Sequence, residues 1–211
     1  RQMELLKIKE ELSGKKLNSF EIYDLTKLLS KSESKVIVSA FKEKGKVMAL
    51  KLEGFKGMIG RELQPNYRVG SEFSGRAKIK AGVRGIFHSD ELPNYGITEE
   101  EVKLIKKELK CSDKDAFVLV AAIENKAKIA LSAVYERAEE LFEGVPKEVR
   151  KDNPDGTTTF LRPMPGAARM YPETDVPMIK TDPYSVEVPE LISEKAERYQ
   201  KKFGLSSDLA E

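Results

Sequence analysis

Four charged residues in a proline-pinned strip carry the most chemistry in this sequence. Between Gly156 and Pro177, four prolines and a run of threonines and alanines set Arg162, Arg169, Glu173 and Asp175 at fixed separations. Proline keeps such a segment out of regular helix and holds it extended. Arginine grips phosphate or carboxylate through two parallel hydrogen bonds, and a pair of carboxylates can hold Mg²⁺. The same four residues equally suit an internal salt-bridge lattice bracing irregular backbone. The residue types leave both readings open.

Two further clusters invite a catalytic reading and lose it on geometry. His88-Ser89-Asp90-Glu91 brings an imidazole, a hydroxyl and two carboxylates together. Consecutive side chains on a strand point to opposite faces, however, and triad members must converge from different elements. A turn running into Leu92-Pro93 is the expectation, and no catalytic residue is assigned. Cys111 and His88 are the only cysteine and histidine, which excludes an internal disulfide and a Cys/His zinc cage. Cys111 follows a helix whose C-terminal dipole end raises a thiol pKa, so it is not expected to be reactive. No metal site is expected.

Gly54-Phe55-Lys56-Gly57-Met58-Ile59-Gly60-Arg61 has the texture of a phosphate cradle. It lacks the Gly-Lys-Ser/Thr ending of a P-loop and the spacing of a dinucleotide fingerprint. As a flexible basic loop, with Lys56, Arg61 and Arg68, it suits a phosphodiester backbone instead. Arg76, Lys78, Lys80 and Arg84 extend the basic run. The net charge of +2 conceals this polarity: residues 1–80 hold 18 Lys/Arg against 10 Asp/Glu, and the remainder 19 against 25. An uneven solvated surface is the plainer explanation, and a nucleic-acid face the more informative one.

The elements that must position these groups are those of an α+β protein. At 211 residues, 40% apolar and 34% charged, the chain can bury a core and is neither disordered nor fibrous. No apolar run approaches the roughly 20 residues of a membrane span, and a cytoplasmic location is expected. The sequence opens within a helical pattern (Met3 and Leu6, with Leu5 and Leu12 as further candidates for the same face), as expected of a piece of a longer protein. Ser34 is placed to cap a helix that buries Val36, Ile37, Ala40 and Phe41, and Val47–Leu52 reads as a strand. Eight glycines between 54 and 96 predict a loop-rich stretch with one or two short strands. Thr98 and Glu101 form a capping box ahead of a helix, Ala116–Ile123 is an apolar strand, and Asn125 opens a longer helix. The expectation is a mixed or antiparallel sheet with helices on one face, then a proline-rich irregular segment and a C-terminal helix from Pro189.

The strip from Gly156 to Pro177 strongly resembles the GatB/GatE family of large tRNA-dependent amidotransferase subunits, in particular its archaeal GatE branch. Nearly the whole chain joins the match. Arg1–Leu12 looks like the end of that family's catalytic cradle. Ser34-Lys35-Val36-Ile37, Gly54-Phe55-Lys56-Gly57, Gly60-Arg61-Glu62-Leu63-Gln64-Pro65 and Gly85-Ile86-Phe87-His88-Ser89-Asp90-Glu91-Leu92-Pro93 resemble the GAD domain inserted into it. Bacterial aspartyl-tRNA synthetases carry a similar insert and are the alternative identity. The Arg162–Asp175 strip belongs to the amidotransferases and disfavours them.

The resemblance implies a division into 1–16, the end of a cradle helix; 17–152, the GAD-like insert; 153–180, the return to the cradle; and 184–211, the start of a helical domain. It implies a ligase of protein biosynthesis that converts Glu-tRNA(Gln) to Gln-tRNA(Gln), with ATP and Mg²⁺ as cofactors. GatD, an asparaginase-like partner, would supply ammonia from glutamine, and tRNA(Gln) would be the second partner. ATP phosphorylates the tRNA-borne γ-carboxylate, which becomes an acyl electrophile only once phosphate gives it a leaving group. The family's ATP site draws chiefly on residues that precede the insert, so this stretch is expected to be inactive alone. Arg162, Arg169, Glu173 and Asp175 become cradle-proximal candidates. Lys56, Arg61, Arg68, Arg76, Lys78, Lys80 and Arg84 become tRNA-contact candidates, unless the insert is purely structural.

Overall fold

Two strands at the centre account for most of the core. β2 (Lys46–Leu52) and β6 (Ala116–Ala122) pair antiparallel over seven residues, from Lys46 opposite Ala122 to Leu52 opposite Ala116. Both are nearly continuous apolar runs, so each presents hydrophobic side chains to both faces of the sheet. β1 (Ile22–Asp24) extends the β2 edge and β5 (Phe87–His88) the β6 edge, giving the all-antiparallel order β1-β2-β6-β5. The computed structural model describes residues 1–164 and 189–210.

Alternation divides the core in two. Met48, Leu50, Leu52, Val118 and Val120 face a layer built from α1 (Gln2–Leu12), α3 (Val69–Ala81) and α5 (Glu124–Glu143). Val47, Ala49, Phe117 and Leu119 face the opposite layer, α2 (Lys35–Lys42) and α4 (Glu99–Glu108). The α+β class and the antiparallel sheet agree with expectation. The sheet is covered on both faces rather than one, because neither β2 nor β6 has a polar side to leave in water. Phe117 is fully buried, and its truncation to alanine would cost about 3–5 kcal/mol.

The largest departure from expectation lies in the glycine-rich stretch. A 13-residue helix, α3, occupies 69–81, after the short hairpin of β3 (Glu62–Gln64) and β4 (Tyr67–Arg68). Two glycines mask its pattern, yet Val69, Phe73, Ala77 and Ala81 are buried on one face. Gly70 is there for packing: a Cβ would lie 2.6 Å from Nε2 of His88. Smaller corrections follow the same logic. α5 begins at Glu124, so Asn125 lies inside it. Ser34 precedes α2 but its hydroxyl makes no capping bond, and Val36 is exposed. The Thr98–Glu101 capping box is present, with Thr98 Oγ1 accepting from the Glu101 amide at 3.2 Å.

β7 (Glu148–Asp152) and β8 (Thr158–Pro163) form a hairpin that ends the first compact unit, Arg1–Met164. By packing, then, the hairpin belongs with the residues before it. The second unit, Pro165–Glu211, is described for α6 (Ile192–Phe203) and the short α7 (Ser207–Ala210). Within it Arg198 pairs with Glu190 at 3.0 Å, and Tyr199 stacks near Phe203. Among the described residues, no helix is long and apolar enough to cross a membrane.

Candidate nucleic-acid interface

The glycine loop is a cradle that holds a carboxylate of its own chain. Phe55, Met58 and Ile59 are buried and pin the loop to the core, which turns the intervening amides outward. Asp90 takes them: Oδ1 accepts from Gly57 at 3.0 Å and Oδ2 from Gly60 at 2.9 Å. Asp115 accepts from the Gly54 amide at 3.0 Å in the same manner. His88-Ser89-Asp90-Glu91 is thus a turn, as expected, but one in which Ser89, Asp90 and Glu91 all accept from backbone amides. Ser89 Oγ accepts from the Phe117 amide, and Glu91 Oε1 from the His88 amide. Burial lowers the pKa of His88, with Arg68 adding to the shift, against the upward pull of Glu91 and Asp90. The imidazole is therefore neutral at pH 7.

α3 separates the positive charge into two populations. On its inner side Glu72, 2% exposed, pairs with Arg137 at 2.6 Å and Arg1 at 2.5 Å. Glu148 on β7 pairs with Arg1, Arg76 and Arg150, and Arg76 also reaches Glu140 at 2.8 Å. Burial would raise the Glu72 carboxyl, but Arg137 and Arg1 hold it below the ordinary carboxylate range. Arg76 lies 4.2 Å above the Phe160 ring centre on β8. This network ties α3, α5 and the β7–β8 hairpin together.

The outer side of α3 carries Ser71, Ser74, Gly75 and Lys78, and opens on a cavity of about 370 Å³. Arg68, Tyr67, His88 and Phe160 also line it. Gly75 contributes free space, since a Cβ there would meet nothing within 4 Å. The trough continues past Ile86 into a second hollow of about 320 Å³, bounded by Arg84, Phe87 and Tyr95. Tyr95 is 54% exposed, packs against Phe87 with ring centres 5.8 Å apart, and has a left-handed backbone at φ 56°.

The structure therefore sorts the seven basic candidates. Arg68, Lys78 and Arg84 border the trough, with Arg84 also 3.2 Å from Glu43. Lys56 is exposed on the pinned loop. Arg61 is held by Glu11 at 2.5 Å and by Glu4, and Lys80 pairs with Glu136. Arg76 is buried in the network and is placed to brace the fold. Arg162 is an exposed residue of β8, opposite Val149, while Arg169, Glu173 and Asp175 lie outside the described residues. Sequence reasoning missed Tyr95 and Phe160 as groove residues. Their signal, an isolated aromatic at a turn and one in a short strand, becomes legible only when α3 is recognised between them.

A domain model described as "GAD domain" matches residues 37–131. The whole chain is 52% identical to a stretch of the glutamyl-tRNA(Gln) amidotransferase E protein (GatE) from Methanococcus maripaludis (strain C5), covering 34% of that protein. It is 50% identical to GatE of Methanocaldococcus jannaschii, covering 34%, and 49% identical to that of Thermococcus gammatolerans, covering 35%. The chain belongs to the GatE family. It spans about a third of the length of these relatives. Agreement with GatE runs through the chain from end to end, well beyond the GAD domain on either side.

Proposed function

We propose that this chain is the GAD-bearing portion of an amidotransferase subunit that converts Glu-tRNA(Gln) to Gln-tRNA(Gln), and that its GAD domain contacts the tRNA. The observation that carries the first part is identity near 50% along the entire chain to proteins named for that reaction. An aspartyl-tRNA synthetase would account for the GAD domain alone. Support for tRNA contact comes from the outer face of α3, where Arg68, Lys78 and Arg84 border one trough.

ATP and Mg²⁺ are the cofactors this reaction calls for, and GatD the source of ammonia. The described residues do not fit either cofactor. Among them no three metal-ligating side chains converge in a free cluster, and Glu72, Glu140 and Glu148 are each taken up by guanidinium groups. The loop of the phosphate-cradle type is filled by Asp90. No step of the reaction is assigned to these residues. The chain alone is expected to be inactive, with Arg162, Arg169, Glu173 and Asp175 serving the cradle in the whole protein.

An exchange tests the reading. This chain would replace the corresponding segment of Methanocaldococcus jannaschii GatE, reconstituted with GatD, ATP, Mg²⁺ and Glu-tRNA(Gln). Gln-tRNA(Gln) formation within roughly tenfold of the parent is expected, since a misplaced segment costs on the order of 10²-fold. A folded chimera with no product would refute it.

A further inference from the structure

The trough on the outer side of α3 has chemistry of its own, and its meaning depends on what can lie in it. We propose that it binds a short unpaired stretch of RNA, with phosphates along Arg68, Lys78 and Arg84 and a base stacked on Tyr95. This deepens the tRNA-contact reading above and rests on it.

Three observations meet here. The hollows form one path: Ser74, Lys78, Ile86 and Glu91 border both the first and the second, and Val36 and Tyr95 border both the second and a third of about 350 Å³. Of the cations on the path, Arg68 and Lys78 form no salt bridge among the described residues, unlike Arg76 and Lys80 on the same helix. Aromatic rings stand at both ends, Tyr67 and Phe160 at one and Tyr95 at the other. Positive charge along a groove, with aromatic platforms beside it, is how single strands are held without sequence readout.

Paired RNA fits less well. A duplex offers its bases only at their edges, so exposed rings gain nothing from it, whereas an unpaired base gives Tyr95 a full π-face. Ser71 and Ser74 supply hydroxyls along the same wall, within reach of a ribose 2′-OH. The acidic groups on the path are Glu91 and Glu33. Glu91 is engaged internally, by the His88 amide and the Tyr95 hydroxyl, which places it below the platform as a support.

The test is fluorescence anisotropy of the 211-residue chain with labelled hexa-adenylate RNA, a hairpin RNA closed by a non-nucleotide linker so that all its bases are paired, and whole tRNA(Gln). Hexa-adenylate is expected to bind at least fivefold more tightly than the hairpin. Tyr95→Ala should weaken it fivefold or more, as expected for loss of one stacked base. Lys78→Ala should lower the log–log salt slope by about 0.7. Gly75→Leu, which fills the trough without crowding the helix, should abolish binding while leaving the melting temperature unchanged or raised. Lys103→Ala, on the solvent side of α4, is the control. Equal binding of hexa-adenylate and hairpin, or full affinity in folded Gly75→Leu, overturns the proposal. If tRNA(Gln) binds all the variants unchanged and hexa-adenylate does not bind, the trough assignment falls and tRNA contact through another surface stands. If neither RNA binds, both readings fall.

Discussion

The Asp90 carboxylate and the Gly60 amide face each other at 2.9 Å, and the second Asp90 oxygen meets the Gly57 amide at 3.0 Å. A loop with the look of a phosphate cradle and a cluster with the look of a hydrolytic site are therefore two halves of one structural clasp. Asp90→Ala should destabilise the fold by about 2–4 kcal/mol, since two backbone donors lose a charged acceptor. Chemical denaturation reads this directly. A loss under about 0.5 kcal/mol, below the net worth of even one such hydrogen bond, would show that the loop is held by Phe55, Met58, Ile59 and the Asp115–Gly54 bond without Asp90.

Glu72 is the hinge of the buried charge network. Glu72→Gln keeps its volume but leaves Arg137 and Arg1 without their shared anion, and should cost about 3–5 kcal/mol. Because its folded pKa is depressed, its stabilisation is complete above the unfolded carboxylate value near 4.3 and declines as pH falls below that. Urea midpoints of the parent and variant should accordingly draw together as pH falls below about 4.3.

His88 predicts a separate, milder transition. Its pKa is lowered by burial, so the fold holds the neutral imidazole. Unfolded histidine takes up a proton near pH 6.5, and below that value the unfolded chain is favoured. Stability should be flat above about pH 7 and fall from about pH 6.5 downward. The slope should vanish in His88→Gln, and a parent flat to pH 5 would count against a neutral His88.

Cys111 should be a poor nucleophile. Burial first, and then Asp115, push its thiol up to about 11. Alkylation by iodoacetamide at pH 8 should run on the order of a hundredfold slower than for a peptide cysteine near 8.5. Rapid labelling of the folded chain would refute the raised pKa.

Much of the frame is legible in the residues. β2, β6, α4 and α5 announce themselves through long apolar runs, a capping box and a repeating aliphatic stripe. α3 does not, because Gly70 and Gly75 lower its intrinsic helix tendency, and their reasons lie in tertiary structure: one admits His88, the other opens the trough. The cover on both faces follows from β6, whose residues from Ala116 to Val120 are all buried, though a single buried strand does not say what buries it. The basic candidates are readable as a group but not as individuals. Charge counts cannot distinguish Lys78, which borders a cavity, from Arg76, which is locked between Glu140 and Glu148.

Heat gives the buried charges a further significance. Among the described residues the β7–β8 hairpin contributes no fully buried apolar side chain, so its attachment rests largely on Glu148 with Arg1 and Arg76, on Arg150 beside Glu72, and on Arg76 over Phe160. At room temperature, stripping water from charged side chains such as these costs nearly what their attraction returns. Hydration of ions weakens as temperature rises, while hydrophobic stabilisation levels off. The hairpin should thus lose less of its grip on warming than an oil-only contact of the same area would, and hold one wall of the trough in place as the chain approaches its melting point.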